Sequence, residues 1–362
     1  MLETSLDILK QIENFGYKAY IVGGFVRDYI LGKKSPDVDI TTNATPKDIK
    51  DIFPNSFVPN EVYGSITVIS NKIRFEITTF REEFAYKNNR KPAEIKYIDS
   101  LKDDLIRRDF TINTFCMDSS GKVIDTLDAM KDLDNKIIKT VHDSNVSFTE
   151  DALRILRAIR FATVLDFKLD DDVKSAIRNC KKYLKNISYN RKKSELDKIF
   201  MSSNASYGVE LLKELDVCND LEIYNIDKIK LSTDLVGIWA SLDVSINYPF
   251  TRSERELIEK IKMLSKSDID NKTLYEYGPY ICGIVAENKG LNKNDIINKY
   301  NNLPIKSRND ILVTSSQIID LFNKPPGRYI SEVLADLENE ILTGRLQNEE
   351  RELFRYLKAK YL

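Results

Sequence analysis

Apolar positions recur with two different periods in the first part of the chain, and the switches between them mark out its elements. Residues 4 to 16 carry their apolar side chains on one helical face and read as an amphipathic helix. Tyr20-Ile21-Val22 is a short apolar run suited to a buried strand, and Val26 to Leu31 returns to a helical period. Val38-Asp39-Ile40-Thr41-Thr42 predicts a strand in which residues two apart share a face. Ile66 to Ser70 and Ile73 to Phe80 predict two more strands joined by a turn at Asn71-Lys72, and Ile95 to Ile98 and Thr111 to Asp118 a further pair. Thr111 would serve equally as a helix start, with Asp109 as its cap. After Phe148 no segment predicts a strand, and helical periods run to Leu362. Loop-like stretches interrupt them at Asn186 to Asn190, Asn204 to Tyr207, Asn301 to Ile305 and Lys324-Pro325-Pro326-Gly327. The expectation is an α/β part up to about residue 141 and an all-α remainder.

At 362 residues the chain exceeds one ordinary core, and roughly two to four domains are expected. Its 42% hydrophobic and 31% charged residues describe a globular protein, and no apolar run nears the roughly 20 residues that span a bilayer. Met1-Leu2-Glu3-Thr4-Ser5 lacks a basic-then-apolar secretory signal, so a cytoplasmic protein is expected. Cys116, Cys180, Cys218 and Cys282 are spaced for neither a zinc site nor a disulfide framework. A net charge of −1 excludes bulk attraction to nucleic acid, so any such binding needs a local patch. Between Lys174 and Lys198 nine basic side chains face only Glu195 and Asp197, which makes that segment the candidate, with a solvated helix face as the plainer alternative. The single histidine, His142, disfavours chemistry built on histidine clusters.

Gly23-Gly24-Phe25-Val26-Arg27-Asp28 is followed by Asp37-Val38-Asp39, which is the layout of a metal-dependent phosphoryl-transfer site. The glycines let the backbone approach a phosphate, and a phosphate-sized anion would fit the helix start. Two carboxylates on one strand face raise each other's pKa unless a cation lies between them, so the pair implies a cation such as magnesium. Singly, a Gly-Gly is usual in turns and an Asp-x-Asp in caps or solvated loops; their joint occurrence carries the reading. Glu76, at the centre of Arg74-Phe75-Glu76-Ile77-Thr78-Thr79-Phe80, reads as an inward charge in an apolar strand. It would join Asp37 and Asp39 around two metals that activate an attacking hydroxyl and stabilise a leaving pyrophosphate, or else pair with Arg74 or Arg81.

Arg107-Arg108-Asp109-Phe110-Thr111-Ile112-Asn113 has the composition of a triphosphate and ribose clamp, with Arg108 on phosphate oxygens and Asp109 or Asn113 accepting from sugar hydroxyls. A capped helix start with exposed arginines is the alternative. Glu150 to Phe161 predicts a helix capped by Thr149, on which Asp151, Arg154, Arg157 and Arg160 recur every third residue. This stripe is either a solvent-facing ladder of ion pairs or a reader of base edges. Cytosine and adenine both present an amino donor beside a ring-nitrogen acceptor, and uracil and guanine the reverse. An Asp acceptor beside an Arg donor complements C and A and leaves U or G facing unpaired polar groups, which is costly. Asp151 and Arg154 have that chemistry, and Glu150 is placed to hold the Arg154 guanidinium.

Taken in order, these segments resemble the bacterial-type, class II CCA-adding tRNA nucleotidyltransferases, relatives of bacterial poly(A) polymerases. Gly23 to Asp28 with Asp37 and Asp39 resembles the family's first motif, Arg107 to Asp109 its ribose and phosphate motif, and Glu150 to Arg154 its amino-acid template. The likeness continues through Ile187-Ser188 to Phe200, Leu303 to Asp310 and Pro325 to Ile330. It implies template-independent addition of C, C and A to the 3′ end of tRNA from CTP and ATP with two magnesium ions, with no membrane and no obligate protein partner. It also implies a polymerase-β-like nucleotidyltransferase head over 1–145, a neck over 146–206, a body over 207–300 and a tRNA-binding tail over 301–362. Asp37 and Asp39 would hold the metals, with Glu76 as third carboxylate; Gly24, Arg27, Arg108, Asp151, Arg154, Arg157 and Arg160 would bind the nucleotide. The basic segment from Lys174 to Lys198 falls in neck-like sequence where tRNA phosphates could be gripped. Two departures stand out: Asp125-Thr126-Leu127-Asp128-Ala129 replaces the usual Asp-Pro-Phe-Gly-Gly, and Phe80 to Pro92 resembles the flexible loop but carries Asn88 in place of an Asp. Alternatives are an A-adding-only enzyme, a poly(A) polymerase, or a non-catalytic tRNA-binding protein with a vestigial site.

Overall fold

The computed structural model describes the chain apart from residues 61–63, 88 and 90, and describes residues 57–60, 85–87 and 91–93 by their backbone alone. Asn88 therefore lies outside the described residues. The chain divides into two compact units, Met1–Tyr224 with Ser245–Pro249 and Asn225–Val244 with Phe250–Leu362. Among the described residues no helix is long and apolar enough to cross a membrane.

Unit 1 opens with α1 (Leu2–Asn14), which buries Ile8, Leu9 and Ile12 at the spacing its sequence predicts. β1 (Ala19–Val22), α2 (Gly24–Ile30), β2 (Asp39–Thr42), α3 (Pro46–Ile52), β3 (Phe57–Asn60), β4 (Ser65–Ser70) and β5 (Ile73–Thr79) follow. Then come the hairpin β6 (Arg81–Lys87) and β7 (Lys91–Tyr97), α4 (Leu101–Ile106), β8 (Cys116–Met117) and β9 (Val123–Ile124). The main sheet has the order β3-β4-β5-β2-β1-β8-β9, with β2 and β5 parallel and its other pairings antiparallel. Asn71 and Lys72 both have positive φ, the geometry of the tight turn that lets β4 fold back on β5. Strict alternation along β5 buries Phe75, Ile77 and Thr79 and leaves Arg74 and Glu76 on the open face. Glu76 is thus not the inward charge its apolar neighbours suggest; period 2 turns it outward.

Further expectations change. The segment expected as a strand from Thr111 is a 3-10 turn over Thr111–Asn113, with strand only at Cys116–Met117. The turn is locked by Thr114 Oγ1 donating to the Thr111 carbonyl at 2.7 Å, so the alternative of a helix start from Thr111 comes nearer. The loop-like Phe80 to Pro92 is a regular hairpin on either side of its tip, Arg81 pairing with Tyr97 and Lys87 with Lys91. Past Phe148 one two-residue strand exists after all: after α5 (Met130–Asp134) comes β10 (Ile137–Ile138), which pairs in parallel with β11 (Lys168–Leu169). Two residues carry no period, so sequence pattern could not announce it.

The helix expected from Glu150 is two helices. Asp143 caps α6 (Ser144–Glu150) by accepting from Val146 N at 2.9 Å; the chain then breaks at Asp151, and α7 (Leu153–Leu165) begins. Asp151, not Thr149, opens the second helix, accepting from Leu153 N at 3.0 Å. Unit 1 continues through α8 (Asp171–Cys180), α9 (Tyr189–Phe200) and α10 (Ala205–Glu214), so Ala205 to Tyr207 is helix rather than loop. In unit 2, α11 (Leu235–Ser241), α12 (Arg252–Leu264), α13 (Asn271–Asn288, broken at Gly278-Pro279) and α14 (Lys293–Asn301) precede α15 (Ser315–Phe322), α16 (Tyr329–Leu342) and α17 (Glu350–Tyr361). Leu274, Ala286, Ile296 and Leu303 form one of its cores and Ile318, Val333, Leu337, Leu353 and Leu357 another.

Candidate active site

Asp37, Val38, Asp39 and Ile40 alternate exposed, buried, exposed and buried, so both carboxylates point to the open face although only Asp39 is inside β2. Across the parallel pairing Asp39 lies in register with Glu76, whose Oε1 accepts from Ser65 Oγ at 2.5 Å. Asp39 reaches solvent, yet the protein crowded around it raises its carboxyl pKa. Glu76 and Asp37 push the same way, and Arg108 and Arg157 pull it down. Among the described residues no set of three or more His, Cys, Asp or Glu is gathered closely enough to hold a metal ion by itself.

Gly23, with φ of 83°, ends β1 and starts α2 in a conformation that side chains avoid, and a Cβ there would lie 3.8 Å from Arg108 Nη1. The hinge therefore sits against that guanidinium. Arg108 pairs with Asp104 at 3.3 Å, and its buried Nε has no acceptor among the described residues, so its positive charge is only partly answered by protein. Arg27 is different. It is buried, with Nε and Nη2 donating to Asp28 Oδ1 at 2.9 and 2.7 Å and Nη1 to Asn113 Oδ1 at 2.6 Å. Asn113 in turn donates to Asp109 at 3.1 Å. Asp109 accepts as well from its neighbour Phe110 N and from Arg157. The two residues expected to accept from a ribose are thus already engaged with protein.

The organising carboxylate of this region is Asp104 on α4, which the sequence did not flag. It is fully buried and accepts from Thr41 Oγ1, Arg81 N, Arg107 and Arg108. Burial would raise its pKa, but the charges of Arg107 and Arg108 outweigh that and hold it below the ordinary carboxylate value.

The arginine stripe is not a solvent-facing ladder, because its partners come from elsewhere in the fold. Arg154 is buried; its Nη1 donates to Glu150 Oε2 at 2.9 Å and Ser147 Oγ at 2.9 Å, and Nη2 to the Arg107 carbonyl at 3.0 Å. Arg157 meets Asp109 at 2.6 Å, and Arg160 meets Glu195 of α9 at 2.6 Å. Asp151 Oδ2 faces Arg191 of α9 at 3.3 Å. Phe161 is the shared platform: the guanidinium carbons of Arg27, Arg157 and Arg160 stand 5.2, 5.3 and 4.0 Å from its ring centre. Asp109, despite its burial, is held down to about 2 by the Arg157 charge and by hydrogen bonds from Asn113 and Arg157. The tip of the β6–β7 hairpin also reaches this place, Asn89 Nδ2 donating to the Thr149 carbonyl at 2.6 Å and its carbonyl accepting from Ala152 N at 3.0 Å.

The basic segment is less free than its sequence suggests. Lys174 and Arg178 pair with Glu214, Lys181 with Asp216, Lys185 with Asp220, Arg191 with Asp151, and Lys193 with Asp197. Lys198 faces Glu195 and Lys192 is buried against the Tyr189 ring, which leaves Lys182 as the exposed basic residue of this run with no acidic partner among the described residues.

Comparison with known proteins covers the same regions. Residues 19–139 match the Poly A polymerase head domain, 166–221 the probable RNA and SrmB-binding site of polymerase A, and 247–357 the putative tRNA nucleotidyltransferase domain 2. The CCA-adding enzyme of Ligilactobacillus salivarius is 34% identical over 95% of this chain and 93% of its own length. That of Bacillus subtilis is 31% identical over 98% and 97%. The crystal structure of the Bacillus stearothermophilus CCA-adding enzyme in complex with CTP superposes with a TM-score of 0.80 at 26% identity, covering 98% of this chain and 96% of that one. The Thermotoga maritima CCA-adding enzyme complexed with tRNA shares the fold, with a TM-score of 0.70 at 22% identity over 99% and 94%.

Proposed function

The chain belongs to the CCA-adding enzymes, the tRNA nucleotidyltransferases, and we propose that the open carboxylates and the buried arginines of unit 1 are the two halves of its catalytic site. The protein adds C, C and A to the 3′ end of tRNA from CTP and ATP without a nucleic-acid template. The observation that carries the site assignment is the register of Asp39 with Glu76 on an open face, with Asp37 two residues away and the partly answered Arg108 guanidinium alongside.

In this reading Asp37 and Asp39 hold magnesium. The residues fit the ion: they offer hard oxygen donors, burial and the charges of Glu76 and Asp37 raise the Asp39 pKa, and magnesium commonly binds through one or two carboxylates with substrate phosphates and water completing its shell. Bound there, it supplies activation of the tRNA 3′ hydroxyl and stabilisation of the leaving pyrophosphate. Glu76, steadied by Ser65, is the third carboxylate. Arg108 takes triphosphate oxygens beside the Gly23-Gly24 hinge, and Arg27 braces that floor through Asp28 and Asn113. Asp151 and Arg154 choose the base. Arg154 commits Nη1 to Glu150 and Ser147 and one Nη2 hydrogen to the Arg107 carbonyl, which among the described residues leaves the Nε–H and the other Nη2–H to face a ring nitrogen. Arg157 and Arg160 fix this helix against Asp109 and Glu195.

We also assign head, neck, body and tail to 1–145, 146–206, 207–300 and 301–362; the head-domain match over 19–139 falls within the first of these. A protein that consumes CTP, ATP and tRNA works in the cytoplasm. The test is extension of tRNA lacking its last three bases, with magnesium, CTP and ATP. Growth by CCA is expected, and growth by two C residues with CTP alone. Failure to add C would overturn the reading in favour of an A-adding specialist, and unchanged activity in Asp39→Asn would overturn the site.

A further inference from the structure

His142 stands beside the proposed base-reading residues with no role in the chemistry assigned to them. It lies between β10 and α6 with its side chain three-quarters buried, 25% exposed. Its Nε2 is 3.3 Å from Glu150 Oε2, close enough for an ionic contact, although the direction falls short of a good hydrogen bond. Both ring nitrogens are shut off from water, and neither has another partner among the described residues. Leaving two polar ring atoms unpaired in this way is costly, so the ring must gain from the carboxylate it faces.

Glu150 Oε2 is also the atom that accepts from Arg154 Nη1 at 2.9 Å, so one carboxylate oxygen stands between the histidine and the base-reading arginine. Glu150 ends α6 at the lip of a recess of about 340 Å³, also lined by Glu82, Phe84 and Ile106, into which its side chain has room to turn. The two halves of the base reader therefore differ in support. Asp151 is held by Leu153 N and by Arg191, whereas the carboxylate that holds Arg154 is restrained from its far side by His142 alone among the described residues. The Glu150 carboxyl lies below its ordinary pKa: burial acts to raise it, and the contacts with His142 and Arg154 overcome that.

We propose that His142 is a positioning residue for base selection, with its Nε2–H facing the Glu150 carboxylate and so keeping that group turned onto Arg154. The inference rests on Arg154 as a reader of the C and A edge. Without His142, Glu150 swings into the recess and Arg154 samples orientations in which uracil is less strongly refused.

The test is the ratio of kcat/KM for CMP and UMP incorporation into tRNA lacking its last three bases, in wild type, His142→Phe, His142→Gln and Glu150→Gln. His142→Phe keeps a ring in the space and removes the donor; its discrimination against UTP should fall by about 5- to 10-fold, the usual scale for losing a supporting hydrogen-bond partner. KM for CTP should rise while tRNA affinity and melting temperature stay put. His142→Gln retains an N–H donor and should stay near wild type, Glu150→Gln should match the Phe variant, and the double variant should lose no more than either. Additive losses, equal losses in the Phe and Gln variants, or wild-type discrimination in His142→Phe would each overturn the inference. Should the Phe variant not fold, the contrast between His142→Gln and Glu150→Gln decides by the same criterion. Wild-type protein that adds neither C nor A would overturn the underlying reading of the site, an outcome separate from these.

Discussion

Asp37, Asp39 and Glu76 stand on the open face of the sheet with one side-chain hydrogen bond among them from the described residues, that of Ser65. A short distance along the same unit, Asp109, Asp151, Arg154, Arg157 and Arg160 are each tied to a partner on another element. The first group is assembled by like charges that the protein leaves mostly unanswered; the second is neutralised in advance. This difference matches two tasks. In the proposed site a cation and a triphosphate would bring their own charge to the first place and complete it, whereas discrimination between bases needs groups whose orientation is set before the substrate arrives.

The sharpest way to break that comparison is to neutralise one residue at each end. Asp39→Asn should lower nucleotide incorporation by about 10³-fold or more, since a two-carboxylate metal site loses a ligand. It should not destabilise the fold. The Asp39 pKa is raised in the folded state by crowding and by Glu76, so its charge opposes folding at neutral pH, and the amide should leave the melting temperature equal or higher. Magnesium should raise the wild-type melting temperature and leave that of Asp39→Asn unmoved, a readout independent of turnover. A marked drop in melting temperature would show that the open carboxylates are structural after all.

Asp109→Asn should give the opposite result. With a folded pKa of about 2 against an ordinary 3.8, the Asp109 carboxylate contributes about 2 kcal/mol of stability. Because the folded pKa is depressed, that contribution is complete above about pH 4 and fades as pH falls towards about 2. Thermal melting across pH should therefore show the variant below wild type at pH 7, with the gap closing in acid. A constant gap would mean that the Arg157 contact works through packing and not through charge.

The same contrast explains how much of the site the sequence could reveal. Asp37 and Asp39 were legible because strand alternation is a local rule, and Glu150 with Arg154 because they are only four residues apart and stay adjacent across the break between α6 and α7. Asp104, Phe161, Glu195 and Arg191 were not, although they hold the predicted arginines and Asp151 in place. The partnerships of Glu195 with Arg160 and of Arg191 with Asp151 bridge 35 and 40 residues, separations over which no periodicity operates. A buried carboxylate such as Asp104 would have been detectable only as an acid at a helical position that packs inward, and on so short a helix that signal is weak. At the fold level the failures share a cause: two-residue strands, the 3-10 turn at Thr111–Asn113 and the break between α6 and α7 are all shorter than the period that would announce them.

The smallest effect tests whether the basic segment belongs with the open or the neutralised half. Its sequence suggests a strong phosphate grip, but most of its cations already face Glu214, Asp216, Asp220 and Asp197. Exposed pairs of this kind are worth little, so a phosphate can compete for them, yet each such exchange gives up a pair to make one. Lys182, with a tyrosine ring and no acidic partner among the described residues, can take a phosphate contact without giving up an ion pair such as its neighbours hold. Lys182→Glu should weaken tRNA binding by about 3- to 10-fold at low salt, lower the salt dependence by about one counterion and leave kcat unchanged. Lys174→Ala, which frees Glu214 only in part because Arg178 remains beside it, should change affinity by less than about threefold. If Lys174→Ala were the more damaging of the two, the paired lysines would be making contacts on tRNA binding that the neutralised arrangement hides.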